Sequence, residues 1–494
     1  MAQFDLLIRG GSVIDGTGVP ARTADLAIKD GRIVALGEVS GEADREINAT
    51  GWSVAPGFID VHCHDDIALL NTPSLDFKTA QGVTTVVCGN CGLGAAPANE
   101  HVKEFFARGI EAVLGPVKDF SWSTIGEFYD AVRGAKPVPN AAFLVPHGTL
   151  RVSTMGWEHR DPTDAELGKM KDHLAEGMAA GAVGLSTGLM YVPGAFAKTE
   201  ELIELNRVVA EYGGLYVSHI RNEGNGLLDS VREAIRIGEE AGTPVQISHH
   251  KASGRDNWGL TKKSLPLIDE ARERGVRVTM DAYPYTAAST SLAALTRNGR
   301  LIRAMDPHDV MVASVKYQHE YEGKRLDEIA DIMDLPVEDA VPKLLTDEDQ
   351  AVVAVMFIMD EADVQRVLQH PQCMIGSDGI PSPTGKPHPR LYGTFPRVLE
   401  RYVRNEKLFS LEEGVRKMTQ LPAMTFMLAD RGELREDAWA DIVIFDPHTI
   451  AEKSTYDEPR HYPSGISHVI VNGQVVVENG VVSEVPSGQF LTRP

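Results

Sequence analysis

Along the chain, short apolar runs alternate with longer amphipathic stretches. Between residues 56 and 429 eight such runs stand out: GFIDVHCH (57–64), VTTVVCGNCG (83–92), AAFLVPHG (141–148), AVGLSTGL (182–189), LYVSHI (215–220), PVQISHH (244–250), RVTMDAYPY (277–285) and CMIGSDG (373–379). They are nearly continuous in apolar residues, as strands buried on both faces are. Most of the segments between them space their apolar residues as helices do, for example DAELGKMKDHLAEGMAAG (164–181) and LLDSVREAIRIGEEAG (227–242). Eight β-α repeats predict an α/β fold, a (β/α)8 barrel of the TIM type, over residues 56–429. One connection is too long for the pattern, and a helical insertion is expected at about residues 295–350.

The two ends have a different texture. FDLLIRGG, SVIDGTG and ADLAIKDGRIVALG near the start, and ADIVIFDP and HVIVNGQVVVENGVV near the finish, alternate with a period of two. Asp15-Gly16 and Asp30-Gly31 mark hairpins. Residues 1–55 and 430–494 are therefore expected to pair into one small β-sandwich domain built from both termini.

Length and composition agree with this plan. A chain of 494 residues, 43% hydrophobic and 24% charged, suits a soluble barrel with a smaller domain beside it. Its net charge of −22 repels phosphate backbones, so nucleic acid is not an expected partner and a small-molecule substrate is. Four cysteines are too few for a disulfide scaffold, and no apolar run reaches the about 18 residues that span a membrane. With no signal-peptide pattern at the start, a cytoplasmic setting and no membrane association are expected.

Chemistry-bearing side chains gather at one position in the repeat. His62, His64, Cys91, His219, His249 and Asp378 all lie at the C-terminal ends of apolar runs, the rim where such barrels build their active sites. His62 and His64 are two apart on an extended strand, so both imidazoles project from one face toward one ion, while Cys63 faces away and packs. Neutral imidazole suits zinc and other borderline metals. His219 and His249 would each pass alone for rim or core histidines; beside the histidine pair on the first run they complete a ligand set. Asp378 in GSDG is either a turn-former before Gly379 or a carboxylate placed to take a proton from a metal-activated water and return it to a leaving amine.

This arrangement resembles the amidohydrolase superfamily, and IRGGSVIDGTG (8–18) with APGFIDVHCHDD (55–66) resembles its opening signature. More narrowly, GNCG (89–92), GLSTGLMYVPG (184–194), SHIRNEG (218–224), ISHHK (247–251), DAYPYTA (281–287) and GSDG (376–379) resemble the D-aminoacylase, or N-acyl-D-amino-acid deacylase, family over nearly the whole chain. Many superfamily members bridge two metals with a carboxylated lysine after the fourth strand; AVGLSTGL has no lysine, and the resemblance implies that Cys91 serves as a ligand instead. It implies one tightly bound zinc on Cys91, His219 and His249, and a second, weaker position at His62 and His64 near Asp378. Tyr283 and Arg390 match positions that meet the substrate, and an arginine fork suits an α-carboxylate. Lys251 either touches substrate or forms a salt bridge at the rim, and Tyr191 and Ser289 either contact substrate or pack the loops. Cys88, His147 and His250 are expected outside the metal set. One departure is Asp437, where the family has a glycine; aspartate tolerates the left-handed turn.

The implied activity is zinc-dependent hydrolysis of the amide bond of N-acyl-D-amino acids, with Asp378 as general base and then acid. A cyclic-amide hydrolase of the hydantoinase or dihydroorotase type shares the fold and the paired histidines. The missing lysine and the GNCG cysteine weigh against that alternative.

Overall fold

The computed structural model describes residues 2–297, 299–302 and 305–493, so the outermost positions of the expected terminal domain and three within the expected insertion lie outside the description. All eight apolar runs form strands: β1 Phe58–Asp60, β2 Val83–Cys88, β3 Asn140–Pro146, β4 Gly184–Gly188, β5 Leu215–His219, β6 Val245–Ile247, β7 Val278–Ala282 and β8 Cys373–Ile375. They lie side by side in sequence order in one eight-stranded sheet, every pairing parallel. Helices between consecutive strands make this the (β/α)8 architecture. Inward-facing Val61, Val87, Leu144, Val183, Val217 and Met374 fill the lower interior as one apolar cluster. The same alternation that turns Leu215 and Val217 inward on β5 brings His219, two residues on, to the upper rim.

Strands from both termini join in a second sheet of nine strands. The join is Ser53–Pro56, which pairs parallel with Phe4–Val13 and antiparallel with Ile442–Phe445. Leu6, Ile8, Leu26 and Ile28 share one core with Ile442, Ile444 and Ile470. Asp30 and Gly31, with φ of 50° and 76°, make a tight two-residue turn of the kind a twisted hairpin needs. At Asp15-Gly16 the flanking strands pair, but through a longer loop over 14–21, where Asp15 accepts from the backbone and hydroxyl of Thr17. Asp437 has a φ of 66°, the left-handed conformation the family's glycine would take.

Two regions differ from expectation. The insertion is mixed rather than helical: Ala288–Ser291, Val310–Ser314 and Val353–Met356 form an antiparallel three-stranded sheet beside helices Leu326–Met333 and Val337–Asp347. Its strands pair across about forty residues (Ser314 with Val353) and about sixty (Ser291 with Val353), so no local hairpin signal announces them. The last residues also leave the terminal sheet and run under the barrel. Gln489 and Leu491 bond to Ala141 on β3, and Leu491 enters the interior cluster. Phe490 stacks on Phe143 at 5.7 Å, with the Arg133 guanidinium 4.1 Å from its ring. Phe490→Ala is expected to lower stability by about 2 kcal/mol, less than a fully buried phenylalanine would cost. Urea unfolding should show this as a lower midpoint, with kcat per folded molecule unchanged because the site lies at the opposite end.

Candidate active site

Strand ends set the positions of the site residues. His62 and His64 follow β1, Cys91 lies in a short turn after β2, His219 ends β5, His249 follows β6 and Asp378 follows β8; all are buried. Cys91, His249 and Asp378 have φ of 56°, 34° and 49°, a left-handed conformation that costs a non-glycine residue energy and recurs at functional positions. Tertiary bonds hold these turns. Ser186 on β4 accepts from Gly92 N at 3.0 Å and donates to Gly89 O, and Asp66 accepts from Gly89 N at 2.9 Å. The Cys91 turn lies directly on β4: a Cβ on Gly188 would stand 2.0 Å from Cys91 O. That contact leaves no room for a longer side chain at this position of the fourth strand, and the cysteine turn occupies the space.

The ligand atoms of Cys91, His219 and His249 all lie within 4.8 Å of one another, as do those of His62, His64 and Cys91, and those of His62, His249 and Asp378. The Cys91 Sγ to His249 Nε2 distance is 3.6 Å, and to His62 Nε2 it is 3.3 Å. Bonds of about 2.3 Å to sulfur and 2.0 Å to nitrogen at a tetrahedral angle put the two ligand atoms about 3.5 Å apart. Both ring nitrogens of His219 are buried without a hydrogen-bond partner, as are Nδ1 of His62 and of His64. Buried polar atoms are rarely left so, and an ion among the donors accounts for one ring nitrogen of His219. Burial pushes the Cys91 thiol up, but the His62, His219 and His249 imidazoles outweigh it and hold the group well below its ordinary value, in the thiolate form that binds metal. Donor chemistry and spacing together are those of a metal site.

Asp378 joins this cluster to a cation. Its Oδ1 is 3.2 Å from His64 Nε2 and 3.5 Å from His62 Nε2; its Oδ2 is 3.0 Å from Arg390 Nη1. Burial raises the carboxyl, yet Arg390 and the imidazoles bring it well below the usual range, so it is ionised. Arg390 is fully buried, donates from Nη2 to Ser289 O at 3.0 Å, and lies over the Tyr283 ring at 4.6 Å. Ser289 thus enters through its carbonyl. Tyr191 packs its ring on His219 at 4.9 Å and shares a 3.1 Å hydrogen bond with Thr290 Oγ1. Lys251 Nζ sits 2.5 Å from Glu223 Oε1 and 2.8 Å from His249 Nδ1, a salt bridge beside the ligand set.

The residues expected elsewhere lie elsewhere. His250 turns to Ser264 Oγ at 2.8 Å and His147 to Glu201 at 2.8 Å. Cys88 is buried 3.7 Å from Cys63, away from the ligands. Sequence reasoning missed the carboxylates behind the histidines. Glu223 lies 2.9 Å from His249 Nδ1. Asp281 on β7 accepts from His249 N at 3.0 Å, lies 3.5 Å from His62 Nδ1 and is bonded by Gln246. A carboxylate at the distance of Glu223 fixes the tautomer and aim of a metal-binding imidazole, and Asp281 holds the His249 backbone in place. Asp281 left one signal, an acid inside a run otherwise fit for a buried strand.

Comparison with known proteins gives the same picture. A family model described as the amidohydrolase family matches residues 45–266 and 265–477. The chain is 42% identical over 491 residues to a D-aminoacylase of Alcaligenes xylosoxydans xylosoxydans, covering 99% of this chain and 98% of that protein. It is 42% identical over 492 residues to an N-acyl-D-glutamate deacylase of the same organism, covering 99% and 97%. The crystal structure of N-acyl-D-glutamate deacylase from Bordetella bronchiseptica, complexed with zinc and a phosphonate inhibitor that mimics the reaction's tetrahedral intermediate, superposes with a TM-score of 0.90 at 42% identity, covering 99% of each chain. This chain belongs to the amidohydrolase family and, within it, to the D-aminoacylase group.

Proposed function

We propose that this enzyme hydrolyses the acyl-amide bond of N-acyl-D-amino acids, releasing a carboxylic acid and a free D-amino acid. The observation that supports it best is a single ionised carboxylate, Asp378, held between an arginine and a Cys/His cluster on one barrel rim. Cys91, His219 and His249 would hold zinc tightly, with His62 and His64 as a weaker second position beside Asp378. Zinc bound there supplies Lewis acidity, polarising the amide carbonyl and acidifying a water. Asp378 takes the proton of the attacking water and delivers it to the departing amino group, so one carboxylate serves both half-steps.

Arg390 has Nε free of a hydrogen-bond partner, and its Nη1 is held only by the 3.0 Å ion pair with Asp378, so the substrate's α-carboxylate can take the first and share the second. Once that carboxylate shares the guanidinium, the hold of Arg390 on Asp378 relaxes and Asp378 becomes a stronger base. Tyr283 keeps the guanidinium flat from below, and Lys251 adds positive charge near the same end of the substrate. Tyr191 and the Ser289–Thr290 segment close the mouth. The D preference is supported by the relatives, a D-aminoacylase and two N-acyl-D-glutamate deacylases. Four free, buried cysteines support a cytoplasmic setting.

The test is a turnover panel of N-acetyl-D-amino acids, their L forms and hydantoins, with chelated and zinc-reloaded enzyme. Hydrolysis of D forms, abolished by chelation and restored by zinc, is expected. Faster turnover of hydantoins would move the enzyme to the cyclic-amide class.

A further inference from the structure

β1 and β8, which position His62, His64 and Asp378, are the two ends of the barrel sheet. Backbone bonds beyond their last residues join them: Asp378 N to His62 O at 2.7 Å, and His64 N to Gly379 O at 3.1 Å. Beneath this seam lies Lys78, from the short helix Asp76–Thr79, with no exposed surface. Its Nζ donates to Asp60 Oδ2 and to Ser377 Oγ, both at 2.6 Å, and lies 3.4 Å from Asp65 Oδ2. Asp60 in turn accepts from Ser377 N at 2.8 Å and His62 N at 3.3 Å. Ser377 Oγ also accepts from Gly379 N at 3.0 Å. One ammonium therefore ties the foot of the histidine pair to the two residues flanking Asp378.

A lysine costs several kcal/mol to strip of water, so a buried one must meet strong compensation. Here Asp60 and Asp65 provide it, and burial notwithstanding they hold the lysine charged. No hydrogen bond or ion pair links Lys78 to a ligand or substrate-facing residue, so chemistry does not explain it. Cys91, His219 and His249 hang on β2, β5 and β6, outside the network.

We propose that Lys78 is a positioning residue for one half of the site: it clamps β1 to β8 and so sets where Asp378 stands relative to His62 and His64, leaving the Cys91–His219–His249 set untouched. The proposal deepens the reading of Asp378 as the proton-transfer group and rests on it. Lys417 offers a matched control. It is equally buried and also braces β8, but from the other end, donating to His370 O at 2.6 Å and reaching Cys373 O at 3.4 Å.

The experiment compares K78M and K417M as whole enzymes by thermal melting, zinc titration and steady-state kinetics. Both should lower Tm. K78M should keep one tight zinc, weaken binding of a second by about tenfold or more, and lower kcat by about 10- to 100-fold with KM little changed. K417M should keep kcat and both zinc affinities within about twofold per folded molecule. Equal losses in the two variants, or a K78M enzyme with parental kcat and zinc binding, would overturn the proposal. If K78M does not fold, S377A removes one arm of the clamp and keeps the ion pair. It should show the same selective loss at smaller size, and parental behaviour in S377A would overturn the proposal equally. Failure of the deacylase reading itself is distinguishable, because the parent enzyme would then turn over no N-acyl-D-amino acid while the zinc titrations still report on the clamp.

Discussion

Asp378→Asn is expected to lower kcat by about 10²- to 10⁴-fold, the span that a positioned general acid–base contributes, while one zinc stays bound per chain. Asparagine is the informative replacement here. The backbone of Asp378 is left-handed, with φ of 49°, and asparagine is among the few residues that accept that conformation readily. Size and shape are retained as well, so the contacts with His64 and Arg390 lose charge but not packing. What disappears is the capacity to take up and give back a proton. Kinetics on N-acetyl-D-amino acids beside elemental analysis checks both halves of the expectation. Unchanged turnover would remove Asp378 from its assigned role, and loss of zinc would show that it binds metal rather than protons.

Cys91→Ser is expected to empty the tight metal position and to lower kcat/KM by about 10³-fold at ambient zinc. Serine has the shape of cysteine and bears the same strain at a φ of 56°, so the turn braced by Ser186 should survive. A hydroxyl, unlike the low-lying thiol held by three imidazoles, is not ionised near neutral pH and is a poor zinc ligand. Zinc should fall from about one equivalent to a minor fraction after dialysis, and excess zinc should restore activity in part, through His219 and His249. Full zinc occupancy in the serine variant would mean that the thiolate is not a ligand.

The site was legible in the sequence where a local rule met a chain-wide one. His62 and His64 share a face because strand side chains alternate, and His219, His249 and Asp378 reach one rim because every parallel strand of the barrel ends there. Cys91 was found through the GNCG resemblance, since spacing says nothing about a turn that doubles back onto Gly188. Asp281 and Glu223 were missed because their value lies in facing His62 and His249 from other strands and loops of the barrel. Lys78 reads as an ordinary helix lysine, and only closure of the seam between β1 and β8 buries it.

From the order of its apolar runs alone, then, this chain commits itself to eight parallel strands with helices between them and to a rim that gathers histidines, a cysteine and an aspartate. Local periodicity suffices for that, because it dictates which side of each strand is buried. The antiparallel sheet inside the insertion, the tail beneath β3, and the carboxylates and ammonium behind the site were settled only by the folded chain. Each depends on pairing between residues tens to hundreds of positions apart, and the free energy of such contacts exists only once the loops between them have closed.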